Sequence, residues 1–253
     1  MIKIIYFGYS ITMLNKLIAS SYFEVVAVVT QKGKYTDVFK KACESLIFYE
    51  VEKSEEIDKL YDVIKNYNVV MYEFGILLSS KLCNNLSIIN FHCGDLKTNR
   101  GANPISWSIL LPNLGAEICA YEIYDKFDCG KIISKKSIMV SDDDTVDMLK
   151  YKLELEIDDI LLDIYNYFKD SNKCTYENVL NGIYRSRVQE KDYTIDLSKD
   201  NLCVIKRKIN SQKNYNGAIL FYKNKKIRVK NYKEENKKFF LVCDDEFELE
   251  IEL

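Results

Sequence analysis

The run Phe23-Glu-Val-Val-Ala-Val-Val-Thr30 carries one charged residue in eight, and a strand this apolar has to be covered on both faces. Two-sided burial is the condition of a parallel sheet flanked by helices. The neighbouring sequence repeats the theme. An apolar strand over residues 2–7 ends at Gly8, and a helical pattern follows through Ile11, Met13, Leu14 and Leu17. A helix over Asp37–Leu46 leads to a strand at Ile47–Val51, and a helix over Glu55–Lys65 leads to a strand at Asn68–Glu73. Strands alternating with helices predict an α/β fold with a doubly wound, mostly parallel sheet. The first strand-to-helix turn, Phe7-Gly8-Tyr9-Ser10, lacks the further glycines of a dinucleotide fingerprint, which argues against a nicotinamide enzyme.

The next strand ends in the most distinctive stretch of the chain, Ser87-Ile-Ile-Asn90-Phe-His92-Cys93-Gly94-Asp95-Leu96-Lys97-Thr98-Asn99-Arg100-Gly101-Ala102-Asn103-Pro104. It reads as a buried strand that breaks at Cys93-Gly94 into a polar loop. A helix then starts at Pro104, with Asn103 as its expected N-cap. Alternation along the strand sends Asn90 and His92 to one face and Phe91 to the other. The only histidine of the chain therefore stands beside a side-chain amide at the carboxyl end of a strand, where open α/β sheets bind ligands.

Further strands are expected at Gly115–Tyr124 and Gly130–Val140, joined by Asp125-Lys-Phe-Asp128-Cys-Gly130. Asp142-Asp-Asp-Thr145 is expected to cap a long amphipathic helix from Val146 to Phe168, the acidic run complementing the helix dipole. The character changes near Ser171–Asn178. From Tyr184 onward the pattern is of short strands, at Tyr193–Leu197, Gly217–Tyr222, Lys226–Val229, Phe239–Cys243 and Phe247–Leu253. Lys206-Arg-Lys208 reads as a solvated strand or turn. The expected organisation is one domain over residues 1–183 and a small β-rich domain over 184–253.

A net charge of -2 gives no global reason to expect nucleic acid or an anionic membrane as partner. From Val188 to the end, 14 Lys and Arg stand against 12 Asp and Glu, so the β-rich domain is only marginally basic. Eight cysteines without CxxC pairs, and one histidine, exclude a zinc site and a disulfide framework from the expectations. The chain enters Ile2-Lys-Ile-Ile-Tyr-Phe directly, with no signal-peptide pattern and no run of transmembrane length, so a cytoplasmic location is expected.

Asn90-Phe-His92, then Arg100-Gly101-Ala102-Asn103-Pro104, then Asp128-Cys-Gly130-Lys-Ile-Ile resembles the formyltransferases that use N10-formyltetrahydrofolate. Their signature is Asn-x-His, a Leu-Pro-x-x-x-Arg-Gly segment, and an aspartate in Asp-x-Gly some three dozen residues on. Here Asn90 and Asp128 are 38 positions apart, and Lys97 stands where the family has proline. The wording Asn-Phe-His-Cys-Gly-x-Leu looks most like the sugar N-formyltransferase branch. The resemblance implies a Rossmann-like catalytic domain followed by a small β domain. It implies formyl transfer to the amine of a dTDP- or UDP-linked aminodeoxysugar, in the setting of polysaccharide biosynthesis, and it allows a homodimer. Methionyl-tRNA formyltransferase, formyltetrahydrofolate hydrolase and a non-catalytic nucleotide-binding module are the alternatives.

By the same resemblance Asn90, His92 and Asp128 are the catalytic residues. An asparagine amide can donate to a developing oxyanion, an imidazole can exchange protons near neutrality, and a carboxylate beside them can hold the imidazole and relay the amine's proton. Phe74, Gly75, Ile76, Leu77 and Asp125 are expected to bind the folate, and Arg100 and Gly94 the acceptor. Arg100 lies in a loop where it could meet an anion, near the N-terminus of the Pro104 helix. The aromatics Tyr184, Tyr193, Tyr215 and Tyr222 either pack the β domain or stack on a nucleotide base.

Overall fold

The structure, a computed structural model, describes residues 1–124, 128–171, 177–236, 238–244 and 247–251. Chain contacts divide it into two units. The first comprises residues 1–97, 117–136 and 154–183, and the second comprises 98–116, 137–153 and 184–253. The final crossing from one to the other falls between Ile183 and Tyr184.

The first unit is built on strands β1 (Ile2–Gly8), β2 (Phe23–Gln31), β3 (Ile47–Val51), β4 (Asn68–Tyr72) and β5 (Ile88–His92). β6 (Arg100–Gly101) belongs to the second unit; β7 (Ala116–Ile123), β8 (Gly130–Ile138) and β9 (Glu177–Val179) complete the large sheet. Its order is β3-β2-β1-β4-β5-β7-β8-β9. The first five strands run parallel, as their unbroken apolar sequences require, and β5 pairs antiparallel with β7. The order reverses between β1 and β4, the switch point at which doubly wound sheets open a crevice beyond the strands' carboxyl ends.

Helices cover both faces. Ile57 of α3 (Ser54–Lys59), Ile64 of α4 (Tyr61–Ile64) and Leu82 of α5 (Ser80–Asn85) pack with Ile5, Phe7, Val29, Val69 and Ile88. On the opposite face, Tyr6 meets Phe39 of α2 (Asp37–Ala42) at a ring separation of 6.4 Å. There too Phe23 meets Phe168 at 6.3 Å, and Lys16 of α1 (Ile11–Ala19) pairs with Asp158. Ser10 starts α1 by accepting from the Met13 amide at 3.3 Å. Gly8, at φ +155°, passes so close to β4 that a Cβ would lie 2.1 Å from the Tyr72 carbonyl oxygen. Only glycine fits this first turn at the switch point.

The expected helix over Val146–Phe168 is two helices. α7 (Val146–Leu155) and α8 (Ile157–Lys169) are separated at Glu156, although the apolar positions Leu149, Leu153, Ile157, Ile160, Leu161 and Ile164 are all buried as expected. The expected helix over Glu55–Lys65 is likewise divided, into α3 and α4.

In the second unit, α6 (Pro104–Leu110) begins at Pro104, but Asn103 does not cap it. Asn103 adopts the left-handed conformation, φ 56°, and makes no side-chain capping bond; its carbonyl accepts from the Trp107 amide at 3.1 Å. The short β6 pairs in parallel with β10 (Tyr184–Arg185), bringing Tyr184 beside Arg100. A five-stranded sheet follows, ordered β11 (Thr194–Ile195), β12 (Ala218–Tyr222), β13 (Lys225–Glu235), β14 (Lys238–Cys243) and β15 (Glu248–Ile251). Lys206-Arg-Lys208 is neither strand nor turn: it lies within α9 (Leu202–Asn210). Ile205 and Ile209 of that helix are buried against Leu220, Val229 and Leu241, and Asn201 caps it through the Val204 amide. The acidic run is spent on side chains more than on a helix dipole. Asp142 meets Arg207 at 2.5 Å, Asp143 accepts from Tyr232, and buried Asp144 meets Lys152 at 2.6 Å.

Among the described residues no helix is long and apolar enough to cross a membrane, and no group of acidic, histidine and cysteine side chains could hold a metal ion.

Candidate active site

β5 and β7 pair antiparallel with Asn90 opposite Tyr121 and His92 opposite Cys119. Residues two apart on a strand share a face, so these four side chains form one patch at the carboxyl end of β5. Phe91 points the other way, where its ring meets Tyr72 edge-on at 6.3 Å. His92 is 7% exposed and Tyr121 2%, so the patch is a buried polar cluster.

A chain of hydrogen bonds runs through it. The Asn90 amide Nδ2 donates to the Tyr121 hydroxyl at 2.9 Å, and that hydroxyl donates to Asp128 Oδ1 at 3.0 Å. His92 Nδ1 faces the same Asp128 oxygen at 3.7 Å. Asp128 is held at φ 47°, a left-handed conformation that aspartate tolerates better than most residues. The turn carrying it closes with the Tyr124 amide donating to the Cys129 carbonyl at 3.0 Å. Gly130 follows, where a Cβ would lie 1.9 Å from the Glu122 carbonyl oxygen. The Asp-x-Gly pattern thus has a physical content: the aspartate turns the chain, and the glycine lets β8 leave close against β7. The Asn90-to-Asp128 separation brings the expected catalytic residues together. Tyr121, which joins two of them, was not singled out from the sequence. Its signal is register, since a strand residue's partner appears only once the pairing is known.

Burial and the neighbouring Asp128 carboxylate push the Tyr121 phenol well above its ordinary pKa. Burial likewise pushes up the Cys119 thiol, which donates to the Gly94 carbonyl at 3.5 Å and so ties the Cys93-Gly94 break to β7. Gly94 itself is buried. Behind the patch, the Tyr72 hydroxyl donates to Glu154 Oε1 at 3.1 Å and lies 3.4 Å from Cys93 Sγ. Glu154 is 7% exposed, and burial is the first cause of a strongly raised Tyr72 pKa.

The Phe74–Leu77 loop leaves β4 at the switch point. Glu73 turns the chain at φ 53°, and the Phe74 ring packs 5.4 Å from Phe7. The Gly75 amide donates to Gln31 Oε1 at 2.7 Å, so one backbone donor of the loop is held by β2, while Gly75 and Leu77 remain exposed. Asp125 lies outside the described residues. Arg100 belongs to the second unit, half-buried in β6, where the ring of Tyr184 rests on Gly101 (φ +94°) and is itself 58% exposed. There too Arg185 Nε donates to the Thr98 carbonyl at 3.1 Å. Tyr215 is 54% exposed, whereas Tyr193 and Tyr222 are half-buried.

The comparisons with known proteins bear on this geometry. The chain is 28% identical to a methionyl-tRNA formyltransferase of Streptococcus pneumoniae over 218 residues, covering 79% of this chain and 70% of that one. WlaRD, a sugar 3N-formyltransferase solved in the presence of dTDP and 5-N-formyltetrahydrofolate, superposes with a TM-score of 0.66 at 20% identity. That match covers 98% of this chain and 96% of WlaRD. HypX from Aquifex aeolicus, solved with tetrahydrofolic acid, superposes with a TM-score of 0.69 at 11% identity, over 94% of this chain but only 41% of HypX. At these identities the two structural matches establish the fold. The sequence profile described as formyl transferase matches residues 9–163, more than half of the chain and the stretch holding Asn90, His92, Tyr121 and Asp128; the chain belongs to the formyl transferase family.

Proposed function

We propose that this formyltransferase moves the formyl group of N10-formyltetrahydrofolate to the amine of a nucleotide-linked aminodeoxysugar, with dTDP or UDP as the nucleotide. The residues present fit the donor. The loop Phe74–Leu77 offers exposed backbone and an apolar rim at the switch point, and a Cβ on Gly75 would already press on Gln31 Oε1 at 3.2 Å. Phe74, Gly75, Ile76 and Leu77 would hold the folate, as would Asp125 by the sequence resemblance. Bound there, the donor supplies an electrophilic formyl carbon.

The protein has to supply an oxyanion donor, a path for the amine's proton, and a site with little water. Asn90 gives one amide hydrogen to Tyr121 and has a second for an oxyanion. His92, nearly buried and facing Asp128, is placed to take and release a proton. Burial strengthens each of these interactions relative to water.

The observation that carries the acceptor assignment is the charge pattern of the β-rich region. Several of its cations lie against carboxylates, among them Lys226 on Glu190, Lys233 on Glu248, Lys238 on Glu250, Lys206 on Glu234 and Lys208 on Asp200. Over the whole region from Val188, Lys and Arg outnumber Asp and Glu by only two, 14 against 12. A surface that grips tRNA needs cations to spare for several phosphates, and each contact would release a counterion and steepen the salt dependence. A nucleotide sugar needs one pyrophosphate site, for which Arg100 is the candidate. Arg100→Ala is expected to raise the acceptor's KM far more than the folate's.

The likeness to methionyl-tRNA formyltransferase favours the second reading, with tRNA as acceptor. Turnover is therefore measured with N10-formyltetrahydrofolate and a panel of dTDP-, UDP- and GDP-linked amino sugars, alongside methionyl-tRNA binding at two salt concentrations. Formylation of a sugar nucleotide, with tRNA binding no tighter than ~10⁻⁴–10⁻⁶ M, supports the proposal. Nanomolar tRNA binding with a steep salt slope overturns it, and formate release without any amine identifies a hydrolase.

A further inference from the structure

We infer that Tyr121 is a positioning residue for formyl transfer, fixing which end of the Asn90 amide meets the reacting oxygen. The inference rests on the reading of Asn90, His92 and Asp128 as the transfer site.

The argument begins at Asp128. A carboxylate can only accept hydrogen bonds, so the Tyr121 hydroxyl, 3.0 Å from Oδ1, points its hydrogen at Asp128. Its lone pairs are then what it offers to Asn90, 2.9 Å away, and Asn90 must answer with its nitrogen. The amide is locked with Nδ2 in the cluster, one hydrogen on Tyr121 and the other available to an oxyanion. Rotated by half a turn, the same side chain would present a carbonyl oxygen and repel the charge it is there to stabilise. The cross-strand register makes the arrangement possible, because Asn90 and Tyr121 are direct partners on β5 and β7. Burial keeps the phenol protonated far above neutrality, so its donor role does not lapse over a working pH range. A buried donor and acceptor that lose their shared partner are each left unsatisfied.

Tyr121→Phe deletes one oxygen from a fully buried ring and tests this directly. Four proteins are compared, namely the parent, Tyr121→Phe, Asn90→Ala and the double variant, with His92→Asn as a control. Each is assayed for kcat and KM with the sugar nucleotide that the acceptor panel identifies, and for binding of 5-formyltetrahydrofolate. Asn90→Ala is expected to lose ~10²–10³ in kcat. Tyr121→Phe is expected to lose about 10-fold to 100-fold in kcat, with KM and folate binding within about twofold of the parent. The double variant should then match Asn90→Ala within about twofold, since a residue acting through Asn90 has nothing left to position. A purely structural role would move folate binding, or would multiply with the Asn90 effect; either result, or parental turnover in Tyr121→Phe, overturns the inference. If Asn90→Ala and His92→Asn themselves keep parental turnover, the transfer-site reading has failed, and the inference with it. If those two collapse while the double variant shows the multiplied loss, only the role of Tyr121 has failed.

Discussion

Closely spaced polar pairs occur in two regions of this protein, and they are built in opposite ways. At the carboxyl ends of β4 and β5, Tyr72, Glu154 and Tyr121 are buried, Asn90 and Asp128 are partly buried, and the groups are joined at 2.9–3.1 Å. On the C-terminal sheet, Lys226–Glu190 at 2.6 Å and Lys238–Glu250 at 2.8 Å are as short, but their side chains are 42–56% exposed. Distance alone therefore says little about weight. A buried donor that loses its partner bears the full desolvation penalty, whereas an exposed ion pair gains modestly and is screened by salt. Under the proposed function the first region spends stability on chemistry. The second takes its stability from an apolar core, with its ion pairs at the surface.

The sharpest break of this comparison would come at His92. His92→Asn is expected to lower turnover by ~10²–10⁴ while folate binding persists, as for other removed acid–base groups; turnover within about threefold of the parent would deny the first region its role. Next in size is Ile209→Ala in α9. Ile209 is fully buried in the C-terminal core, and the change should cost about 2–5 kcal/mol by chemical denaturation, with the loss confined to the transition of the β-rich region. Tyr72→Phe, which strips Glu154 of a hydrogen bond, should cost roughly 1–3 kcal/mol. Smallest of all is Lys233→Ala, which breaks the exposed pair with Glu248 and should cost under about 1 kcal/mol, vanishing in high salt. A Lys233→Ala cost equal to that of Tyr72→Phe would erase the contrast.

The parts of this architecture that were legible in the sequence are those governed by local pattern. Apolar runs gave the parallel strands, and strand alternation put Asn90 and His92 on one face, because such patterns act over a few residues. Asp128, 38 positions on from Asn90, joined them only through the resemblance of Asp128-Cys-Gly130 to the family signature. What escaped depends on neighbours distant in sequence. Tyr121 became visible only through its pairing with Asn90. Asn103 looked like a cap, but the structure holds it left-handed, and Asn99 bonds the Pro104 carbonyl and Ser108 instead. α9 hid behind Lys206-Arg-Lys208, although Leu202, Ile205 and Ile209 already show helical spacing and Asn201 a genuine cap. Charge was read there as exposure, while the long stems of Lys206 and Lys208 lie largely covered, at 20% and 16% exposure.

The ladder between β6 and β10 has a consequence in time. Arg100–Gly101 pairs with Tyr184–Arg185, the Ala102 amide donates to the Arg185 carbonyl at 3.1 Å, and Trp107 Nε1 donates to the Ser186 carbonyl at 2.9 Å. The partners of this segment are therefore encoded some 85 residues downstream. During synthesis at about 5–20 residues per second, residues 100–107 wait roughly 4–17 s for them, already outside the ribosome but with hydrogen-bonding groups unmet. Strands β1 to β5 need no such delay, since everything they pair with has by then been made, apart from β7. Birth order thus separates the two units: the sheet that carries Asn90 and His92 can begin to assemble while the segment bearing Arg100 is still waiting for its partner strand.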